Sequence, residues 1–201
     1  MNNVRVIWSH EVNQANDAAK RVIETKRVAV GWKVLLFPFL LLDYYRYKKS
    51  LLLTRKNFLF TKRLAFEAAK EMRAGKARAM QMRLIEIRTN KILVKEKKGY
   101  YTEKIRRKQM REIEVLIDHY LELFKSNKTS YPEIVKAAYF SEKGYLAFIE
   151  KLQRAEKEVI EAAIATMRRG SKKERLRWFA KIQETFRNMR LEEADWIFTE
   201  R

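Results

Sequence analysis

The stretch WKVLLFPFLLLDYYRYKK, Trp32 to Lys49, decides how the rest of the chain is read. Its nine residues from Val34 to Leu42 carry no charge and no hydrogen-bonding side chain, and tyrosines with a dense run of lysine and arginine follow at once. A segment of this kind is either the core of a soluble fold or a contact with lipid.

Extended outward, the uncharged run covers the 15 residues from Val28 to Leu42, interrupted only by Lys33. As helix it spans roughly 22 Å, short of the roughly 30 Å hydrocarbon core of a bilayer. Asp43 blocks any extension. Lys26 and Arg27 precede the run, and Arg46, Lys48 and Lys49 follow it. Basic residues mark the cytoplasmic side, so both ends are expected there. Pro38 removes a backbone donor and crowds the preceding turn, which predicts a kink in any helix passing through it. The economical picture is a segment that dips into one leaflet or lies in its interface.

The expected membrane-binding residues are Trp32, Lys33, Val34, Leu35, Leu36, Phe37, Pro38, Phe39, Leu40, Leu41, Leu42, Tyr44, Tyr45 and Tyr47. Tryptophan and tyrosine suit headgroup depth, and a lysine such as Lys33 snorkels. Arg46, Lys48, Lys49, Arg55, Lys56, Lys62 and Arg63 are expected along the anionic surface. Each adds on the order of 1 kcal/mol there, and each inserted apolar residue roughly 0.3–0.6 kcal/mol. The competing reading makes the run a buried core helix of a soluble protein, which its length also permits.

Working outward, the rest of the chain reads as helix. It has 201 residues but only 5 Gly and 2 Pro, so its elements are long and uninterrupted. Residues 5 to 30 form a first amphipathic helix, with Ile7, Trp8, Val12, Ala15, Ala19 and Val22 near one face. A stripe through Phe58, Leu64, Ala68, Met72, Ala79, Met82 and Ile85 predicts a helix from Phe58 to about Lys97. Within it, LIEIRTNKILVKE (84 to 96) alternates like a strand, but no hairpin turn is present and the flanks are helical. Gly99 is a plausible break, and Thr102 caps a helix carrying Ile105, Ile113, Leu116, Ile117, Tyr120 and Phe124. SNKTS (126 to 130) is a loop, and SYPE (130 to 133) opens a short helix to Phe140 with a capping box. Ser141 caps the next helix, which ends at RRG (168 to 170). SKKE (171 to 174) opens another, with Leu176, Phe179, Ile182, Phe186 and Met189 on its stripe and Trp196, Ile197 and Phe198 docking its acidic tail.

The net charge is +20, and its placement is uneven. Residues 43–111 hold 22 basic and 6 acidic side chains, whereas residues 112–201 are nearly balanced. Such a field seeks an anionic partner: lipid headgroups, an acidic protein face, or nucleic acid. For nucleic acid, KARAMQMR (76–83) and KIRRKQMR (104–111) supply basic helices, and Tyr100 and Tyr101 are stacking candidates. A helix-turn-helix at 131–152 is disfavoured, because YLAFIEKL lacks the residues that read base edges.

There is no cysteine, no glycine-rich phosphate loop, no Gly-x-Ser-x-Gly and no His-Glu-x-x-His. His119 lies near Glu114, Asp118 and Glu122, but a histidine bonded to a neighbour or to solvent is the simpler reading than a metal ligand. The start, MNNVRVIWSH, has no basic and then apolar layout of a secretory signal.

The expectation is an all-α protein in three parts. Residues 1–56 hold a long helix and the Pro-kinked membrane-associating segment, 57–126 a basic helix pair, and 127–201 a charge-balanced bundle. The expected function is that of a peripheral or monotopic scaffold or adaptor on the cytoplasmic face of a membrane. It is not an enzyme and needs no cofactor or metal. Its partner is anionic lipid, with an acidic protein as a further candidate. The alternative is a soluble cytoplasmic protein that binds nucleic acid through residues 43–111. Oligomeric state has no signature in the sequence.

Overall fold

The computed structural model describes residues 2–27, 37–95, 101–166 and 172–199, and among them every regular element is a helix. In chain order these are α1 (Asn2–Arg27), α2 (Phe37–Arg73), α3 (Arg78–Lys95), α4 (Glu103–Lys125), α5 (Tyr131–Tyr139), α6 (Glu142–Thr166) and α7 (Lys172–Thr199).

Helix α4 lies at the centre and packs on α2 along one side and on α6 along another. Its apolar residues recur at helical spacing, and Ile113, Leu116, Ile117, Tyr120 and Leu123 are almost wholly buried. Side chains of this size each gain about 1.5–3 kcal/mol from leaving water. Helix α1 closes one flank, burying Ile7, Ala15, Ala18, Ala19 and Val22 at three- and four-residue steps. Phe66 of α2 makes edge-on contacts with Tyr120 and Phe124 of α4, with ring centres 5.2 and 5.3 Å apart. Trp8 of α1 meets the same ring at 5.0 Å. Helices α5 and α7 complete the wall with Ile134, Val135, Ala194 and Ile197. One apolar cluster thus draws on residues from all three stretches into which the sequence was divided.

The local signals explain the ends of several elements. Thr102 has extended backbone and accepts a hydrogen bond from the Ile105 amide at 3.4 Å. Ser130 starts α5, and its hydroxyl donates to Glu133 at 2.7 Å while making no cap to the backbone amides. Ser141 Oγ accepts from the Gly144 amide at 3.2 Å and opens α6. Residues 84–95 are helical, so their alternation is not a strand.

Two expectations are corrected. The helix from Phe58 does not run on to about Lys97. Gly75 takes φ +90°, and the amides of Gly75 and Lys76 fold back on the carbonyls of Met72 and Glu71. This glycine closure ends α2 and lets α3 turn away. Second, Leu176, placed on the packing stripe of α7, is 47 % exposed. The expected kink at Pro38 involves residues 28–36 before it, which lie outside the described residues. The expected break at Gly99 and the RRG terminus lie outside the described residues.

Candidate functional site: a basic-rimmed apolar groove

Helix α2 presents one face to a surface groove of about 580 Å³. Leu52, Arg55, Lys56, Leu59 and Arg63 line it at the helical register i, i+3, i+4, i+7 and i+11. Trp8 from α1 and Arg88 from α3 close its sides, and Phe60 and Leu64 join the lining. The lining is mainly apolar, and the size is that of ligand clefts. Around it stand four cations, Arg55, Lys56, Arg63 and Arg88, and one carboxylate, Glu67.

Glu67 is already engaged. It accepts from Arg63 Nε at 3.1 Å and from Arg88 Nη1 at 2.9 Å, pinning α3 to α2 across the groove. Arg55 and Lys56 carry no ion pair to any described residue. These two cations sit at the end of the groove nearest the N-terminus of α2. Of the seven residues expected along an anionic surface, the structure brings Arg55, Lys56 and Arg63 together here.

Lys62 is the exception and a correction. It points into the bundle and pairs with Glu11 at 2.5 Å, with only 13 % of its side chain exposed. One residue along a helix turns the side chain by about a quarter of a turn, enough to move Lys62 from the groove face to the core. For Phe37 to Leu42, Tyr44 to Tyr47, Lys48 and Lys49 the structure gives a helical backbone, and their side chains lie outside the described residues. Trp32, Lys33, Val34, Leu35 and Leu36 lie outside them altogether.

Behind Lys62 lies a buried polar array that sequence reasoning missed. Glu11 also accepts from the Tyr120 hydroxyl at 2.7 Å. Burial pushes the Glu11 carboxyl up, but the charge and hydrogen bond of Lys62 and the Tyr120 hydroxyl outweigh it, and its pKa ends below the ordinary value. His10 contacts Glu193 at 2.5 Å and stacks on Tyr131 at 3.5 Å. His119 shares a hydrogen bond with the Tyr139 hydroxyl at 2.6 Å and stacks on Phe148 at 4.1 Å. Burial lowers its pKa to about 3, so the ring is neutral. Glu112 accepts from Thr61 at 2.6 Å, and burial followed by repulsion from Glu156 pushes its pKa up to about 7.

The cavity among these groups has a volume of about 40 Å³, room for water rather than for an organic substrate. The carboxylates near His119 in sequence are directed elsewhere, Asp118 to Arg78 at 2.5 Å and Glu122 to Lys125 at 2.7 Å. The array can hold helices in register and carry a pH dependence. Its signal in the sequence was the polar residues Glu11, Thr61, Glu112 and His119 lying on otherwise apolar faces.

Several of the remaining cations are paired with carboxylates, some of them at the surface. Arg106 and Arg107 both bind Glu103, whose pKa their hydrogen bonds draw down to about 2. Lys108 and Arg111 reach across to Glu158 of α6. The Tyr101 hydroxyl donates to Gln109 at 2.7 Å, so its ring is tied to α4.

No helix among the described residues is long and apolar enough to cross a membrane. No protein-family model, curated protein or solved structure proves similar to this chain.

Proposed function

We propose that the protein is a peripheral or monotopic helical scaffold that holds anionic lipid on the cytoplasmic face of a membrane. The observation that carries this reading is the shared helix. The uncharged residues 37–42 and the basic-rimmed groove lie on one α2, and Leu42 is ten residues, about 15 Å, from Leu52. Apolar insertion and cationic attraction would then act along one rod, and neither alone anchors firmly.

The alternative, nucleic-acid binding through residues 43–111, is less well supported. Its best basic helix, 104–111, spends Arg106, Arg107, Lys108 and Arg111 on carboxylates, and its stacking candidate Tyr101 is bonded.

The test is flotation with phosphatidylglycerol vesicles. The native chain is expected to float, to stay with the vesicles at high salt, and to leave in detergent. The double substitution Leu36→Asp and Leu40→Asp is expected to abolish flotation with its helical circular dichroism unchanged. Collapse of that signal would make the segment protein core. A native chain that never floats and shifts nucleic acid on a gel would establish the alternative.

A further inference from the structure

We infer that the groove between α1, α2 and α3 accepts one acyl chain of an anionic phospholipid, with the headgroup held by Arg55 and Lys56. This rests on the membrane reading and goes beyond it, because a surface attracted to lipid needs no groove.

Three features select that occupant. The walls, Trp8, Leu52, Leu59 and Phe60, offer a mainly apolar cleft, which suits a hydrocarbon chain. The rim is cationic, and two of its members are free of described acids while Glu67 neutralises part of the rest. A hydrocarbon joined to an anion matches that layout end to end. A second copy of this chain does not, since it would bring another set of cations against the rim. An acidic amphipathic helix would match the charge as well, but it would leave Trp8 unquenched by a brominated chain. The groove lining also carries Leu52, 61 % exposed and one helical turn from Arg55 and Lys56.

Trp8 reports occupancy, because it lines the groove and contact with a brominated chain quenches indole fluorescence. The protein for the test is the full chain with Trp32→Phe, Trp178→Phe and Trp196→Phe, leaving Trp8 as its sole tryptophan. On vesicles of phosphatidylglycerol with brominated chains its emission is expected to be roughly halved. Brominated phosphatidylcholine and inorganic phosphate are expected to leave it unchanged. Leu52→Asp, at an exposed position, is expected to remove the quenching while flotation persists. Arg55→Glu and Lys56→Glu should each weaken vesicle binding about fivefold or more.

A companion chain keeping only Trp32 separates the two ideas. If Trp32 is quenched and Trp8 is not, the membrane reading stands and the groove is empty of lipid. If neither chain floats, the membrane reading fails, and monomeric ω-bromoundecanoate decides the groove alone: quenching of Trp8 keeps an acyl site, and no quenching overturns it. Quenching by nucleic-acid-free vesicles that an added oligonucleotide reverses would assign the rim to nucleic acid.

Discussion

Lys62 Nζ lies 2.5 Å from Glu11 Oε2 inside the bundle, with 13 % and 6 % of the two side chains exposed. An ion pair so placed is costly to desolvate, and its two halves depend on each other. Lys62→Met should therefore cost about 3–5 kcal/mol in urea unfolding, because Glu11 is left buried without its cation. The double variant Glu11→Leu with Lys62→Met should recover most of that loss. A Lys62→Met chain within about 0.5 kcal/mol of native would show that the pair is solvated in solution.

The neighbouring acid Glu112 sets a pH dependence of the opposite sense. Its folded pKa of about 7 stands above the ordinary 4.5, so the folded chain keeps a proton that the unfolded chain has lost. Stability from this group is complete below pH 4.5 and declines as pH rises through about 7. His119 works from the other side. Its folded pKa near 3 lies below 6.5, so its contribution is full above pH 6.5 and declines as pH falls toward 3. Glu112→Gln should keep the Thr61 contact and flatten the decline between pH 4.5 and about 7, a gain on the order of 1–3 kcal/mol at pH 8. Urea midpoints at pH 5 and pH 8 read it directly, and an unchanged difference between them would exclude Glu112 as the source.

Two glycines make a contrasting pair. Gly75 sits at φ +90° in open space, so Gly75→Ala is opposed only by backbone strain, about 1–2 kcal/mol. At Gly144 a Cβ would stand 2.7 Å from the Tyr139 carbonyl oxygen, so Gly144→Ala must displace the turn between α5 and α6. Thermal unfolding should show a larger loss for Gly144→Ala. Equal effects would mean the turn yields without cost.

The stretch that alternates like a strand gives a site-by-site check on α3. Ile85 is 3 % exposed and Ile87 45 %. Ile85→Ala should cost about 2–5 kcal/mol, and Ile87→Ala less than about 1 kcal/mol. A strand-like register would put both side chains on one face and make the two losses similar in the same unfolding experiment.

The all-helical class, the side-chain caps at Thr102 and Ser141, the start of α5 at Ser130 without its expected side-chain cap, and most of the buried stripe of α4 were legible in the chain, because short-range physics sets them. Propensity, side-chain capping and a period of 3.6 residues act within a turn or two. The end of α2 at Gly75 was missed because the apolar stripe continues on both sides of it, and one glycine is weak evidence against a periodic pattern. Lys62 was misplaced for a different reason. Whether a lysine faces water or a buried carboxylate depends on Glu11, 51 residues away, which only packing brings near. The groove has the same origin: its basic and apolar residues are visible on α2, but Trp8 and Arg88 reach it from other helices. Local sequence thus determined which segments are helical and which faces are apolar. Tertiary packing alone decided which charges are buried and paired and which are left open around a cleft, since burial and Coulomb partners are properties of residues distant in the chain.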